Sequence, residues 1–362
     1  MMTVPGYKLN EKLYQGSQSV IYRARCRGDD KPVVLKILHK ELPTPEEIAR
    51  FIREFEITSS LDVGGVIKAF ELNRSRDNLI MVLEDFGGES LARLKKLTGL
   101  RLTLKEFLDL ALRVTDILGD IHRQSIIHKD INPSHILWNR TTAEVKLIDF
   151  GISTVLPRET AAHTIPDALA GTLAYMSPEQ TGRMNRSTDY RTDFYSLGVT
   201  FYELLTSQLP FAAADPLELI HAHIAKMPAA PHQCRADIPV PVSRIVVKLM
   251  AKNAEDRYQG AHGLKHDLQQ CLDQLNTAGK IEGFEIGKAD YPEKFQVPQK
   301  LYGREAEIET LLEGFERVCG GPTEMMLVTG YAGIGKTSLV REVLKTIVQK
   351  QGYFISGKFD QL

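Results

Sequence analysis

The stretch Ile126-Ile-His-Lys-Asp-Ile-Asn-Pro-Ser-His-Ile-Leu137 is the part of this chain that most narrows the choice of fold. Apolar residues occupy both of its ends, and His128, Lys129 and Asp130 follow one another between them. Short apolar runs separated by a polar, turn-forming segment are typical of two β-strands joined by a loop. The stretch therefore predicts a strand, a tight loop that presents three polar side chains, and a second strand.

Composition and charge exclude several classes of protein. The chain has 362 residues, of which 43% are hydrophobic and 25% charged, with a formal net charge of -1. This length allows two domains, and the near-zero charge does not indicate a nucleic-acid or membrane partner. No apolar run is long enough to span a bilayer, and the start lacks a signal-peptide pattern. Four scattered cysteines without metal-ligand spacing complete the prediction of a soluble, cytoplasmic protein with free thiols.

Upstream of the loop, residues 7–38 predict three strands. The first two are joined by the turn Tyr14-Gln-Gly-Ser-Gln-Ser-Val-Ile21, in which Gly16 lets the backbone approach a phosphate group closely. An ordinary hairpin turn would also explain these residues. The turn is therefore a candidate phosphate cover whose role depends on the rest of the chain.

A lysine and a glutamate follow this turn. Lys36 lies in the apolar run of the third strand, and a helix is predicted at about residues 45–61, with a threonine cap and a proline in its first turn. Glu54 lies beside the apolar stripe of this helix and has a better helical phase than Glu56 for pairing with Lys36. Glu54 is therefore the better candidate to pair with Lys36, although a strand-end lysine that points to solvent would also explain Lys36.

Further elements follow in a regular order. Strands are predicted at residues 66–70 and 79–84, a helix at 104–123, and a strand that ends at Asp149-Phe-Gly. Apolar helical patterns near residues 193–205, 217–225, 242–252 and 263–275 predict an α-rich second part.

The order of these motifs resembles that of eukaryotic-type serine/threonine protein kinases, over residues 7–272. The motifs are the glycine turn, the lysine, the glutamate, H-K-D, D-F-G, S-P-E ending at Glu179, and the helix that opens with Asp193-Phe-Tyr-Ser-Leu-Gly. The resemblance implies an α+β, two-lobed protein kinase fold that transfers the γ-phosphate of ATP to serine or threonine hydroxyls of proteins, itself included. It also implies Mg²⁺, with Mn²⁺ as an alternative.

The resemblance implies a role for individual residues. Asp130 would accept the hydroxyl proton, Asp149 would hold the metal ion, and Lys36 with Glu54 would position the phosphates. The implied nucleotide contacts are Tyr14, Gly16, Val20, Ile21, Lys36, Glu84, Phe86 and Asn132. Arg257 stands where these kinases place the arginine that pairs with the glutamate of S-P-E.

Two positions depart from the family pattern. His135 stands where the family has an asparagine that binds a second metal ion, and Asn132 stands where serine/threonine kinases usually have a lysine. Neutral imidazole is a poor ligand for Mg²⁺, which prefers oxygen, although His135 remains the predicted second metal ligand beside Asp149. Impaired or metal-sensitive catalysis is therefore one expectation, and a nucleotide-binding pseudokinase is the alternative.

The C-terminal residues predict a different module. After a predicted linker at residues 273–300, the run Gly330-Tyr-Ala-Gly-Ile-Gly-Lys-Thr337 follows a predicted strand at 325–329 and precedes a predicted helix. This is the context of a phosphate-binding P-loop. Its predicted nucleotide contacts are Gly330, Gly335, Lys336 and Thr337.

Residues 301–362 are too few to complete this module. A P-loop NTPase needs a second acidic strand, and two parallel strands cannot bury both faces of a sheet. We therefore predict an incomplete α/β P-loop NTPase fragment without ATP hydrolysis, and a nucleotide switch centred on Lys336 is the third hypothesis. The arrangement resembles the N-terminal piece of large bacterial signalling proteins that fuse a serine/threonine kinase to an AAA/STAND-like ATPase and often to a sensor histidine kinase.

Overall fold

The computed structural model describes most of the chain, in two compact units. The described residues are 4–16, 18–38, 43–75, 78–155, 173–183, 187–292, 303–321, 323–331, 334–336, 339–340, 343 and 346–347. The first unit contains residues 1–159 and 264–283, and the second contains residues 160–263 and 284–362.

A five-stranded antiparallel sheet forms the start of the first unit. Its strands are β1 (Tyr7–Gln15), β2 (Ser19–Cys26), β3 (Pro32–Leu38), β4 (Ala69–Ser75) and β5 (Asn78–Glu84), in the order β1-β2-β3-β5-β4. The three predicted N-terminal strands are confirmed. The strand predicted at residues 66–70 begins instead at Ala69, because Val66 and Ile67 pair with Leu147 rather than with β5.

Helix α1 (Pro45–Ser60) follows β3, as predicted. Thr44 caps it by accepting a hydrogen bond from the Glu47 amide, and the Glu47 carboxylate accepts one from the Thr44 amide. Such reciprocal capping satisfies amide groups that have no partner within the helix. Phe51 packs into an apolar cluster with the sheet, which turns the face carrying Glu54 inward.

The remainder of the first unit combines helices with short strands and carries the central loop. Its elements are β6 (Glu89–Ser90), α2 (Leu91–Thr98), α3 (Leu104–Arg123), β7 (Ile126–Ile127), β8 (Ile136–Trp138), β9 (Val145–Leu147) and β10 (Thr154–Val155). Strands β6, β8 and β9 form one small sheet, and β7 pairs with β10. The predicted strand, loop and strand at residues 126–137 are confirmed as β7, the loop and β8.

The second unit is helical before its last segment. It contains α4 (Arg191–Thr206), α5 (Pro216–Ala225), α6 (Pro231–Cys234) and α7 (Val240–Leu249), and helix α8 (Ala261–Ala278) begins within it. Gly198 of α4 lets α7 approach closely, because a Cβ there would lie 2.7 Å from the Cβ of Leu249. Helix α8 continues to Ala278, so the first residues of the predicted 273–300 linker are helical instead.

The last segment contains one long helix, α9 (Glu305–Cys319). The strand predicted at residues 325–329 is not formed, and Met325 and Leu327 are 94% and 85% exposed. A strand needs a neighbouring strand for its backbone hydrogen bonds, and the described residues place none beside this run. Among the described residues, no helix combines the length and apolar character needed to cross a lipid bilayer.

Candidate active site

Lys36 lies at the centre of a buried ionic cluster in the first unit. Its Nζ lies 2.6 Å from Glu54 Oε1 and 3.0 Å from Asp149 Oδ2. Burial by itself lowers the pKa of Lys36, but the carboxylates of Asp149 and Glu54 outweigh burial, so the pKa is raised and the ammonium group stays charged. The expected pair between β3 and α1 is present, and it is joined by the aspartate of D-F-G.

The two carboxylates of this cluster differ in their electrostatics. Burial and the nearby Asp149 raise the pKa of Glu54. Burial acts on Asp149 in the same direction, but Lys36 and His135 outweigh it and lower the pKa of Asp149. Asp149 therefore stays ionised, with Oδ2 on Lys36 and Oδ1 accepting a hydrogen bond from the Gly151 amide at 3.3 Å.

The loop between β7 and β8 holds Asp130 through the side chains around it. His128 is fully buried, its Nε2 donates to the Ile148 carbonyl at 3.0 Å, and its Nδ1 accepts from the Asp130 amide at 3.2 Å. Asn132 Nδ2 donates to Asp130 Oδ1 at 3.0 Å. Burial raises the pKa of Asp130, although His135 acts in the opposite direction. These bonds orient the carboxylate that the sequence predicts as the proton acceptor.

Asn132 uses both ends of its amide within the loop. Its nitrogen donates to Asp130, and its oxygen accepts from the Ser134 amide at 2.8 Å. The side chain is buried. Because a phosphate contact would require breaking these bonds, the geometry favours loop support for Asn132 over the predicted phosphate contact.

His135 lies between the two aspartates. Its Nδ1 donates to the Asp130 carbonyl at 2.8 Å, and its Nε2 lies 3.8 Å from Asp149 Oδ2. Burial lowers the pKa of His135, but Asp130 and Asp149 outweigh burial and raise it. A metal ion at His135 would therefore have to compete with a proton for the lone pair of Nε2. This competition weighs against His135 as the second metal ligand, and that role stays a prediction.

The side chains at this site therefore offer oxygen ligands suited to one divalent ion. Asp149 offers a partly exposed carboxylate, which suits a hard, oxygen-preferring cation that also binds phosphate oxygens. His135 offers no oxygen at the second position. Within the part of the chain that the structure describes, no group of three or more His, Cys, Asp or Glu residues has the geometry of a metal cage.

The end of β5 and the residues directly after it, which we call the hinge, contain the predicted nucleotide contacts Glu84 and Phe86. Lys146 Nζ lies 2.7 Å from Glu84 Oε2, and Asn139 Nδ2 donates to the Phe86 carbonyl at 2.8 Å. Arg23 of β2 contacts Asp85 at 2.9 Å. Lys146 and Asn139 were missed by sequence reasoning, since a lysine on a short strand and an asparagine just after one carry no motif.

The glycine turn lies at the end of the β1–β2 hairpin. The Gly16 amide donates to the Ser19 carbonyl at 2.9 Å, and Tyr14 and Ile21 are paired across the strands. The Tyr14 ring lies against Gly16, because a Cβ at Gly16 would be 2.7 Å from the Tyr14 hydroxyl. Val20 is buried on β2. The described residues of the turn thus close the hairpin and place the Tyr14 ring against Gly16, and its role as a phosphate cover stays a prediction.

In the second unit, the expected pair between Glu179 and Arg257 is present. Two parallel contacts join Arg257 Nη1 to Glu179 Oε1 at 2.7 Å and Nη2 to Oε2 at 2.8 Å. Thr192 Oγ1 also donates to Glu179 at 2.8 Å. Burial by itself would raise the pKa of Glu179, but the Arg257 guanidinium outweighs it and lowers that pKa to about 2.

The P-loop residues are only partly described. Lys336 Nζ donates to the carbonyls of Gly330 and Tyr331, both at 2.8 Å, so the lysine folds back onto its own loop. Gly335 has a φ of +94°, which favours glycine. Thr337 lies outside the described residues.

Comparison with known families agrees with this site. The profile of the family described as "Protein kinase domain" matches residues 7–269, and that of "AAA ATPase domain" matches residues 300–362. The fold and the ionic cluster define an ATP-dependent phosphotransferase domain with a β-sheet N-lobe and a helical C-lobe. The chain belongs to the protein kinase family, and its kinase domain is of the serine/threonine type. Members of this family use ATP and a divalent metal ion.

Several curated proteins resemble this chain. A hybrid signal transduction histidine kinase G of Dictyostelium discoideum is 30% identical over 71% of this chain and 10% of its own length. A probable serine/threonine-protein kinase of Clostridium perfringens is 32% identical over 75% of this chain and 39% of its own length. Serine/threonine-protein kinase PknB of Mycobacterium tuberculosis is 30% identical over 74% of this chain and 44% of its own length. The chain thus spans less than half the length of each of these relatives.

Proposed function

We propose that this chain transfers the γ-phosphate of ATP to serine and threonine hydroxyls of proteins, itself included, in signal transduction. The observation that carries this proposal is the cluster of Lys36 with Glu54 and Asp149 at 2.6 and 3.0 Å. A lysine held by two carboxylates is fixed in direction before any nucleotide binds. Such pre-positioned charge is the main contribution of a kinase to phosphoryl transfer.

Each charged group has one task in this proposal. Lys36 orients the phosphates, the Asp149 carboxylate holds a divalent ion, and Asp130 directs the acceptor hydroxyl and takes its proton. The ion, Mg²⁺ or Mn²⁺, neutralises phosphate charge when it is bound. The turn at Gly16, with Tyr14, Val20 and Ile21, covers the nucleotide, and backbone groups of Glu84 and Phe86 hold its adenine.

Labelled ATP tests this proposal directly. The parent chain and Asp130→Ala are incubated with labelled ATP and either Mg²⁺ or Mn²⁺, and incorporation into the chain and into casein is measured. We expect label in the parent and none in Asp130→Ala. Label that persists in Asp130→Ala would show that another centre transfers the phosphate.

A nucleotide-binding pseudokinase is the second candidate function. The observation that favours it is that His135 and Asn132 are both committed to contacts within the loop. It predicts that the parent binds ATP, measured by calorimetry, and incorporates no label with either metal ion. Under that outcome the domain acts as a regulator of partners rather than as an enzyme.

Restoring an oxygen ligand at position 135 is expected to increase the rate of transfer. In His135→Asn, the amide oxygen can bind a second ion beside Asp149, as oxygen ligands do. We expect a rise on the order of tenfold, the equivalent of one charge-assisted contact, with a steeper dependence on Mg²⁺ concentration. His135→Ala is the matched control, since it removes the imidazole without adding an oxygen. An equal rate in both variants would refute a second ion as the cause.

For the whole protein, we propose a kinase domain at residues 7–272, a linker up to residue 300 and the beginning of an ATPase module at 301–362. The match of residues 300–362 to an AAA ATPase domain supports this division, and the hybrid histidine kinase relative supports a multidomain signalling protein. We also propose a cytoplasmic location, where ATP and protein substrates are available. ATPase activity that Lys336→Ala abolishes would support a nucleotide switch instead.

A further inference from the structure

The segment that follows helix α8 packs against other residues of the second unit. Residues 284–291, which we call the strap, contact the turn that precedes α8. The Gln259 amide donates to both carboxylate oxygens of Asp290, at 2.9 and 3.0 Å. The rings of His262 and Tyr291 stack, with centroids 6.0 Å apart and an interplanar angle of 29°. A linker that only connects two domains needs neither contact.

The first turn of α8 is shaped to receive the strap. A Cβ at Gly263 would lie 2.5 Å from Asp290 Oδ1 and 2.7 Å from both the Cα and the Cβ of Asp290. Real side chains do not tolerate such distances to a backbone atom. Because glycine is otherwise a poor helix former, the close approach of Asp290 explains a glycine at this place.

Gln259 links the strap, through further hydrogen bonds, to Glu179 of the S-P-E motif. Its side-chain oxygen accepts from Arg191 Nη1 at 2.8 Å, and its carbonyl accepts from the Tyr190 hydroxyl at 2.9 Å. Arg257 Nη1 donates to the Arg191 carbonyl at 3.0 Å and to Glu179 at 2.7 Å. Arg257 is fully buried. A continuous set of hydrogen bonds therefore runs from Asp290 to Glu179.

We propose that Asp290 is a positioning residue for the binding of the protein acceptor. Docking of the strap gives the Gln259 amide an acceptor, which holds the turn that carries Arg257. Arg257 in turn anchors Glu179 at the end of residues 173–179, the segment at which we place the binding of the protein acceptor. When one member of a hydrogen-bonded network loses its partner, the remaining members are held less precisely in position. The inference rests on the proposed function, because this segment binds an acceptor only in a working kinase.

Four variants of the full chain test this inference. Asp290→Ala removes both acceptor oxygens, and Asp290→Asn keeps one. Gly263→Ala displaces the strap by steric contact while favouring the helix itself. Glu285→Ala is the matched control, because this carboxylate is exposed on the same strap. The measurements are KM and kcat for casein, KM for ATP, and amide hydrogen exchange of residues 173–183.

We expect Asp290→Ala and Gly263→Ala to raise KM for casein about tenfold, the effect of losing one hydrogen bond to a charged group, with KM for ATP unchanged. Faster hydrogen exchange in residues 173–183 should accompany this rise in KM. Asp290→Asn should have a KM for casein and an exchange rate close to those of the parent. Exchange that rises in the strap alone, or a KM for casein that does not change, would overturn the inference. If the parent transfers no phosphate, the proposed function fails. The hydrogen exchange of residues 173–183 in the variants still tests whether Asp290 holds the segment that contains Glu179.

Discussion

Phosphate transfer is expected to fall about 10²- to 10⁴-fold when Asp130 is replaced by asparagine, the range that a positioned acid or base contributes. The amide keeps the shape of the carboxylate and can still accept the hydrogen bond from Asn132 Nδ2, which lies 3.0 Å from Asp130 Oδ1. It cannot take up the proton of an acceptor hydroxyl. The loss should therefore appear in kcat for casein, measured with labelled ATP at saturating metal ion.

Binding of ATP should survive this substitution, because Lys36 and Asp149 do not depend on the charge of Asp130 for their 3.0 Å contact. Calorimetric titration with ATP checks that point. Asp62→Asn is the matched control, since Asp62 is exposed and lies outside the ionic cluster. A kcat of Asp130→Asn within threefold of the parent would remove Asp130 from the reaction.

The second large effect concerns stability. Glu179→Gln is expected to lower the free energy of unfolding by about 3–5 kcal/mol, because it leaves the fully buried Arg257 without a counter-charge. The pKa of Glu179 is lowered from 4.5 to about 2, and this difference corresponds to about 3 kcal/mol of stability at neutral pH. Urea unfolding of both chains at pH 7 measures the effect.

The pH dependence of this effect has a definite sign. A carboxyl group whose pKa is lowered by folding stabilises the fold above its unfolded value, here 4.5, and loses that contribution as the pH falls toward about 2. The stability gap between the parent and Glu179→Gln should therefore be complete above pH 5 and should narrow below pH 4.

An exposed ion pair provides the control for this prediction. Arg235 and Asp237 form a contact at the surface, and the side chain of Asp237 is 67% exposed. Exposed pairs contribute little because water and salt screen them. Asp237→Asn should leave the unfolding midpoint almost unchanged. If Glu179→Gln behaves like Asp237→Asn, the buried pair is not a source of stability.

Much of the fold was predictable because its signals are local. Helix α3 runs from Leu104 to Arg123, as predicted, since its apolar residues recur at helical spacing and Thr103 caps its start. Helical phase also favoured Glu54 over Glu56 as the partner of Lys36, because Glu54 lies beside the apolar stripe that faces the sheet. The strand predicted at 325–329 was wrong, since an apolar run becomes a strand only beside another strand and the part of the segment that the structure describes places none there.

The contacts within the candidate active site could not be predicted from sequence motifs alone. Asn132 was predicted to contact phosphate, but the loop folds so that both ends of its amide are already used. Lys146 and Asn139 hold the hinge without any sequence pattern that marks them. A polar side chain in a sequence carries its hydrogen-bonding capacity but not the identity of its partner.

The amino-acid sequence alone determined the elements, their order and the kind of chemistry, because helical period, capping and turn residues act over a few positions. Only the tertiary structure decided which distant groups meet. Lys36 and Asp149 are 113 residues apart in the chain, and Glu179 and Arg257 are 78 apart. Such contacts form when the packing of many apolar residues offsets the entropy of closing the chain between them, and no local pattern records that balance.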